Sequence, residues 1–234
     1  MKEYIVLDIE TTGTKPLESD IIEIGAVYVK NDEVQDTFKE FVKPNEEISE
    51  YITGITGITN EMVKDAEPIE EVLPRFIAFC RGVPLIGHNI EVFDYRMLRV
   101  KATRLGLKLE NDTLDTLIIA RKMLWQLPSR KLGDLCKHYG IDLLHAHRAY
   151  DDAYATFELF KCLKNEFEAK DEALFMPHPL AWEMPKQCPM TAKQKKYLLS
   201  LCEKHKITLE KAIESLTKSE ASRIIDTILR EYGR

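Results

Sequence analysis

The sequence predicts an α/β fold in which helices pack on a β-sheet. Apolar, β-branched runs come first and indicate strands, and short apolar runs then alternate with amphipathic stretches at helical spacing. Strands followed by alternating strands and helices are typical of a sheet covered by helices. With 234 residues, 44% hydrophobic and 31% charged, the chain can form one substantial domain and a small extra one.

Three predicted strands open the chain. They span residues 4–7, 21–29 and 37–42. Asn31 and Asp32 are residue types that favour a hairpin turn between the second and third strands. We therefore expect an antiparallel meander, followed by a loop over residues 44–50 and a turn-rich link with a helix start near Thr59.

Amphipathic helices are predicted over most of the body that follows. They cover residues 68–81, 95–105, 115–120, 131–139 and 149–163, and a short buried strand occupies residues 84–87. Asp112 or Thr113 lies near the expected entry of the third of these helices, and Gly140 ends the fourth.

A proline-rich stretch separates this body from the C-terminal residues. Four of the ten prolines fall within residues 177–189, and proline fixes φ and removes a backbone donor. We expect a body over residues 1–175, a linker over residues 176–189 and a small basic helical module over residues 190–234. The module shows helical patterns over residues 191–204, 209–216 and 219–232, with Thr191 and Ser219 as the expected caps.

Charge is distributed unevenly along the chain. Residues 186–234 hold 11 Lys and Arg against 6 Asp and Glu, whereas residues 1–185 hold 22 against 33. An acidic body does not bind nucleic acid through a broad basic face, so metal ions are needed to neutralise the local charge. The five cysteines lack a C-x-x-C pair and favour reduced thiols. No apolar run approaches the ~20 residues of a membrane span and no signal peptide pattern opens the chain, so we expect a cytoplasmic protein without membrane partners.

Two carboxylates at the end of the first predicted strand form the first candidate site. Asp8 and Glu10 lie two residues apart, so their side chains point to the same face of the strand. A divalent cation between them relieves their repulsion, and hard oxygen ligands suit Mg²⁺ or Mn²⁺. Such a pair alone more often marks a solvated strand end, but two further stretches supply partners that favour a metal site.

Those stretches carry Asp94 and Asp152, with His147 five residues before the latter. Four carboxylates approximately match the charge of two divalent cations, a pair that promotes phosphodiester hydrolysis. A neutral histidine on a loop accepts the proton of an attacking water, and the dipole of the following helix favours ionised Asp152. The predicted catalytic set is Asp8, Glu10, Asp94, Asp152 and His147, with the four acids as metal ligands.

Six short motifs stand in order over about residues 1–167. They occupy residues 6–13, 22–26, 56–59, 88–89 with 93–94, 115–116 and 147–152. In this order the motifs resemble the DEDD superfamily of 3′→5′ exonucleases. The resemblance is to its histidine, DnaQ-like subtype, which includes the proofreading ε subunit of bacterial DNA polymerase III.

The resemblance implies an RNase H-like fold with a central five-stranded mixed sheet flanked by helices. It also implies that Asp8, Glu10 and Asp152 bind the first of two divalent cations. Asp8 then binds the second as well, and Asp94 lies nearby. The terminal nucleotide is expected in a pocket formed by Thr11, Thr12, Gly13, His88 and Asn89.

One departure concerns the third acid. Four residues separate Asn89 from Asp94, one more than in many members of the family. Glu91 is therefore a competitor for this role. We favour Asp94 because Phe93 precedes it and Leu98 follows it, as the family pattern requires.

Other residues near the motifs admit two readings. The tyrosine subtype needs Tyr at position 148, where this chain has Arg148, so His147 is the expected base. His145 is the weaker alternative because only His147 stands in the H-x-A-x-x-D register. Glu23 either lies close to the metals or, as such a residue more often does, orients a neighbouring side chain. Residues 129–131, Ser-Arg-Lys, either contact phosphates or cap the helix that follows.

The predicted activity is metal-dependent hydrolysis of the terminal phosphodiester of DNA in the 3′→5′ direction, releasing mononucleotides in proofreading or repair. The expected partners are a nucleic acid 3′ end, with single-stranded DNA favoured, and a DNA polymerase or another replication or repair protein. One alternative is an RNA-trimming exoribonuclease of the same fold, since contacts to the 2′-hydroxyl distinguish the two. A catalytically silent nucleic-acid-binding module is the alternative of another class. The basic module either docks nucleic acid or a partner, or forms a helical hairpin that covers the body.

Overall fold

The computed structural model describes residues 1–143, 147–184, 188–209 and 211–233. The chain divides into two compact units, Met1–Trp182 and Glu183–Arg234. Among the described residues, every helix is too short or too polar to span a lipid bilayer.

A five-stranded mixed sheet forms the centre of the first unit. Its strands are β1 (Glu3–Thr11), β2 (Ile21–Lys30), β3 (Glu33–Phe41), β4 (Leu85–Gly87) and β5 (Thr113–Asp115). The sheet order is β3-β2-β1-β4-β5, with the first three strands antiparallel and with β4 and β5 parallel to β1. Asn31 and Asp32 form the β2–β3 turn with φ of 53° and 61°, as predicted. The five-stranded sheet and the meander are thus confirmed.

Helices cover both faces of this sheet. They are α1 (Glu50–Thr56), α2 (Asn60–Val63), α3 (Ile69–Phe79), α4 (Asp94–Arg104), α5 (Thr116–Met123), α6 (Leu132–Tyr139) and α7 (Ala149–Phe167). Two 3₁₀ turns, Glu168–Lys170 and Glu172–Phe175, follow α7. The five amphipathic helices predicted for the body are confirmed as α3 to α7, and Gly140 ends α6 with a φ of 67°.

Alternation along β1 separates the two hydrophobic layers. Tyr4 and Val6 pack in the layer that contains α5, α6 and α7. Ile5 and Leu7 pack in the opposite layer, against α3 and α4. Because strand side chains repeat every two residues, the acids that follow in the register of Val6 lie on the side of α7.

Two segments of the first unit differ from the sequence prediction. The predicted loop and link around residues 50–56 form α1, which Ser49 caps by accepting a hydrogen bond from the Ile52 N–H at 3.4 Å. The stretch around Thr113, predicted to enter a helix, instead forms β5 and pairs with β4. A strand of three residues is too short to show a periodicity, and its neighbour β4 supplies the pairing.

The second unit contains α8 (Ala192–His205) and α9 (Lys218–Tyr232), joined through a 3₁₀ turn at Ile213–Ser215. Its core is the buried set Leu198, Leu201, Leu216, Ile225 and Ile228. Thr191 caps α8 as predicted.

Two predictions for the second unit are wrong. The helix expected over residues 209–216 is reduced, among the described residues, to the 3₁₀ turn. Thr217, not Ser219, caps α9, because Glu220 completes a capping box by accepting a hydrogen bond from the Thr217 N–H. Ser219 has no acid or glutamine three residues on to do the same.

Candidate active site

Three of the predicted acids meet where β1 and β4 end. Asp8 and Glu10 are half-buried and follow the face of β1 that packs on α7. Asp94 is buried in the first turn of α4, which begins shortly after β4. Its carboxylate accepts a hydrogen bond of 3.1 Å from the Ile9 N–H, the residue between the two β1 acids. The backbone of β1 therefore ties Asp94 to Asp8 and Glu10.

The start of α7 brings the fourth acid and the histidine. Asp152 is buried in the first turn of α7, and His147 lies two residues before the helix. The His147 N–H donates a 3.0 Å hydrogen bond to Asp152 Oδ2, and His147 has a φ of 68°. A ligand atom from each of Glu10, His147 and Asp152 lies within 4.8 Å of the others. The two carboxylates are therefore placed to share a metal ion, with the imidazole of His147 beside them.

Contacts with β2 fix the position of α7. A Cβ added at Gly25 would lie 2.1 Å from the Tyr150 nitrogen, so only glycine allows the helix to approach this closely. The buried Glu23 carboxylate accepts hydrogen bonds from Arg148 Nη2 at 2.7 Å and from the Ala149 N–H at 3.0 Å. The expectation that Glu23 orients a neighbouring side chain is confirmed.

The acids raise one another's pKa. Burial and the negative charges of Asp94, Asp152 and Glu10 raise the pKa of Asp8 well above its usual value. Burial, followed by the charges of Asp152, Glu23 and Asp94, raises the pKa of Glu10 to about 8. The cluster thus carries more negative charge than its surroundings compensate.

Burial also dominates at the other two acids. It raises the pKa of Asp94 to about 7, against the hydrogen bond from Ile9. It raises the pKa of Asp152 to about 6, although the His147 N–H lowers it. Four carboxyl groups with raised pKa values make a donor set that fits divalent cations with a preference for oxygen ligands. A metal therefore suits the residues that are present.

The residues predicted to hold the terminal nucleotide have internal roles as well. Thr11 Oγ1 donates to the Gly13 carbonyl at 2.7 Å, and Thr12 Oγ1 accepts from the Asp20 N–H at 2.9 Å. A Cβ on Gly13 would lie 2.8 Å from the Ser19 hydroxyl oxygen. These three residues therefore build the loop that continues from β1 beside the acids.

His88 and Asn89 lie in the segment after β4. Both ring nitrogens of His88 have partners, Thr116 Oγ1 and the Arg130 carbonyl, each at 2.9 Å, and burial lowers the pKa of the ring. Asn89 has a φ of 71°, and its N–H donates to Asp115 Oδ1 at 2.9 Å. Asp115 also accepts from the Leu117 N–H at 2.8 Å, so its carboxylate organises the β4 and β5 ends together. The sequence motif included Asp115 without indicating this role.

The competitors of Asp94 and His147 are placed differently. Glu91 is buried and its Oε1 lies 3.1 Å from His178 Nε2 and 3.4 Å from Thr113 Oγ1. These contacts direct it towards β5. His145 lies outside the described residues.

Solved exonucleases share this arrangement of sheet and helices. E. coli exonuclease I in complex with a dT13 oligonucleotide matches with a TM-score of 0.66 over 75% of this chain and 44% of that chain, at 23% sequence identity. Exonuclease X in complex with 5′ overhanging duplex DNA matches with a TM-score of 0.56 over 71% of this chain and 93% of that chain, at 27% identity. The fold is the RNase H-like fold of exonucleases, as predicted.

Sequence similarity defines the family within that class. Residues 5–160 match the exonuclease family represented by RNase T. The chain belongs to this exonuclease family, and the predicted relation to the DnaQ-like enzymes is confirmed. The PolC-type DNA polymerase III of Caldanaerobacter subterraneus subsp. tengcongensis is 49% identical over 158 residues, which are 68% of this chain and 11% of the relative. That of Clostridium perfringens is 42% identical over 173 residues, 72% of this chain and 12% of the relative, so the chain spans about a tenth of their length.

Proposed function

We propose that this protein hydrolyses the terminal phosphodiester of single-stranded DNA in the 3′→5′ direction, with two divalent cations, Mg²⁺ or Mn²⁺, and releases mononucleotides. One observation carries the proposal: ligand atoms of Glu10, His147 and Asp152 lie within 4.8 Å of one another, beside Asp8 and Asp94. Residues from β1, α4 and α7 thus converge at one edge of the sheet.

The proposed roles follow from the position of each side chain. Asp8, Glu10, Asp94 and Asp152 hold the cations through their carboxylate oxygens. The chemistry that bound divalent cations supply is a lowered pKa of water and a stabilised leaving oxyanion. His147 accepts the proton of the attacking water on a ring nitrogen, because it faces Glu10 and Asp152 from an exposed loop. Its backbone bond to Asp152 sets the position of this base.

The comparisons support DNA as the substrate. The two PolC-type relatives are named as DNA polymerases, and exonuclease X, at 27% identity, was solved with 5′ overhanging duplex DNA. The loop of Thr11, Thr12 and Gly13, with His88 and Asn89 across the strand ends, is proposed to hold the terminal nucleotide.

The similarity to polymerases also supports a role in proofreading or repair beside a DNA polymerase or another replication protein. It favours the cytoplasm as the compartment. We propose an exonuclease domain over residues 1–175, a linker over residues 176–189 and a helical module over residues 190–234. The division between compact units after Trp182 supports a boundary within that linker, of which residues 185–187 lie outside the described part of the chain.

A labelled-end assay tests the activity. Matched DNA and RNA oligonucleotides, each labelled at either end, are incubated with Mg²⁺, with Mn²⁺ and with a chelator. We expect a 3′-terminal label to appear at once as a mononucleotide and a 5′ label to yield a descending ladder, with DNA preferred.

Four results would contradict the proposal. Early release of a 5′ label would reverse the direction, and activity that survives chelation would exclude a metal-dependent mechanism. Faster degradation of RNA would favour the exoribonuclease alternative. Tight binding without any cleavage would indicate a silent binding module.

A further inference from the structure

A cavity of about 630 Å³ lies at the ends of β4 and β5, outside the acidic cluster. Its polar lining consists of His88, Asn89, Arg121, Ser129, Arg130 and Lys131, and apolar side chains complete the wall. We name it the basic cavity. Among the described residues, every side chain that lines it is neutral or basic.

The basic cavity opens at the same edge of the sheet as the active site. It begins at His88, the residue directly after β4, and β4 is the parallel neighbour of β1. Neighbouring strands lie about 4.8 Å apart, so one strand spacing separates the end of β4 from the strand that carries Asp8 and Glu10. A polymer whose end is bound at the acids can therefore extend into the cavity.

Two of its cations are available to a ligand. Arg121 on α5 and Lys131 at the start of α6 are exposed, and neither has an ion pair or hydrogen-bond partner for its side chain among the described residues. Arg130 differs, because its Nη2 donates to the Trp125 carbonyl at 2.7 Å and its own carbonyl binds His88. The Ser129 hydroxyl accepts from the Lys131 N–H at 3.3 Å. Arg130 and Ser129 therefore build the wall, while Arg121 and Lys131 face solvent.

The surroundings make these cations distinctive. Residues 1–185 carry 33 acidic against 22 basic side chains, yet the charged groups that line the cavity in the described part of the chain are all cations. Lys131 is the N-cap residue of α6 and provides no side-chain cap, so the first N–H groups of that helix add positive potential at the cavity. The exposed cations and the N-terminus of α6 together favour an anionic ligand with a flexible backbone.

We propose that the basic cavity binds a backbone phosphate of the substrate strand, upstream of the bond that is cleaved. The inference rests on the proposed function, which places the 3′ terminus at the acids. Arg121 and Lys131 pair with the phosphate oxygens, and Asn89, half-buried at the mouth, can donate its side-chain amide. The site binds backbone and not base edges, so it discriminates strand length rather than sequence.

Two substrates test this subsite. An oligothymidylate provides upstream phosphates, whereas the p-nitrophenyl ester of thymidine 5′-phosphate provides a scissile phosphodiester without any. In the R121A/K131A variant we expect the ratio of KM for the oligothymidylate to KM for the ester to rise about tenfold, the usual value of a charge-assisted hydrogen bond. The matched control is Lys137→Ala, which removes an exposed charge from the same helix outside the cavity. This control should leave the ratio within about twofold of wild type.

Binding measured by fluorescence anisotropy separates this proposal from the proposed function. The slope of log affinity against log salt should fall by about 0.7 in the double variant, the value for one lost phosphate contact on a single strand. A neutral methylphosphonate at one upstream position should weaken binding by the wild type and leave binding by the double variant unchanged. Equal affinities and slopes for R121A/K131A and Lys137→Ala would overturn the subsite. A wild type that binds the strand but hydrolyses neither substrate would overturn the proposed function alone.

Discussion

Protons compete with cations for the four carboxylates of the active site. The pKa of Asp152 is raised to about 6, that of Asp94 to about 7 and that of Glu10 to about 8, chiefly by burial. Ligation by carboxylates requires deprotonation, so metal binding releases protons. The apparent metal affinity should therefore rise as pH increases from about 6 to about 8.

The same shifts determine how stability depends on pH in the metal-free protein. An acid whose pKa in the folded state exceeds its value in the unfolded state, about 4, keeps its proton to a higher pH in the folded state. The stability contributed by the protonated acids is fully present below about pH 4 and is lost as pH rises through about 6 to 8. A divalent cation should restore it in the upper part of this range.

Asp8→Asn tests this repulsion at one residue. Because burial and three neighbouring acids raise the pKa of Asp8, the neutral amide should raise the melting temperature of the metal-free protein at pH 8. We expect roughly 2–4 °C for each kcal/mol of repulsion relieved. Thermal unfolding with a chelator at pH 4 and pH 8 measures the difference, which should nearly vanish at pH 4.

The same variant should also lose turnover, since Asp8 is the proposed ligand of both cations. Residual activity above about one per cent of wild type would contradict that role, given the large contribution of metal ions to hydrolysis. An unchanged melting temperature at pH 8 would contradict the repulsion.

His147→Ala tests the proposed base. The substitution removes the imidazole that faces Glu10 and Asp152 but keeps the backbone N–H that binds Asp152. We expect kcat to fall by roughly 10²–10⁴, the usual contribution of a positioned general base, while KM changes little. Steady-state kinetics of His145→Ala provide the comparison, and a larger loss in that variant would show that the register of the last motif is wrong.

At the scale of elements, the packing of β2 against the start of α7 sets the geometry of the site. β2 contributes Glu23, whose carboxylate binds Arg148 and the Ala149 N–H, and Gly25, which lets the helix approach. α7 in turn carries Asp152 and presents His147. β2 carries none of the proposed metal ligands, but through α7 it positions two of the proposed catalytic side chains, His147 and Asp152.

Gly25→Ala should disturb this packing. The added Cβ would meet backbone atoms of Ala149 and Tyr150 at 2.1–2.5 Å, so α7 has to shift away from the sheet. We expect lower thermal stability and a fall in kcat larger than the loss of folded protein explains, measured by calorimetry and steady-state kinetics. Gly54→Ala in α1 is the matched control, because no atom of the described residues lies within 4 Å of an added Cβ and alanine stabilises a helix by about 0.5–1 kcal/mol. Wild-type kcat in Gly25→Ala would show that α7 tolerates displacement.

At the scale of the whole molecule, the two units carry opposite charge. Residues 183–234 hold 11 basic and 7 acidic side chains, whereas residues 1–182 hold 22 basic and 32 acidic ones. The second unit has its own buried core around Leu198 and Ile225. Lysines that neutralise phosphates increase affinity for a strand without reading its sequence. We therefore expect the second unit to add to the binding of long strands and not to the chemistry.

Ending the chain at Trp182 tests this expectation, because the first compact unit ends there. Cleavage of short oligonucleotides at saturating concentration should remain near wild type. Binding to long single strands, followed by anisotropy over a range of salt concentrations, should weaken, and its salt slope should decrease. Unchanged affinity and slope would leave the second unit with a structural role only.

Short-range patterns are predictable from the sequence of this protein because neighbours along the chain decide them. The two-residue repeat of β1 places Asp8 and Glu10 on one face, and the β2–β3 turn follows from Asn31 and Asp32. The T-x-x-E signal of Thr217 and Glu220 was equally present in the sequence. The wrong cap at Ser219 therefore reflects a missed local signal and not a tertiary effect.

Only the tertiary structure decided the features that depend on residues far apart in the chain. β5 is a strand because β4 pairs with it, and Glu23 holds Arg148 across 125 positions of sequence. The basic cavity likewise combines residues after β4 with residues of α5 and the start of α6. Each of these features arises from packing between elements, and the free energy of that packing depends on residues that are distant in the sequence. The sequence by itself therefore determined which side chains the site has, and the fold determined which of them meet.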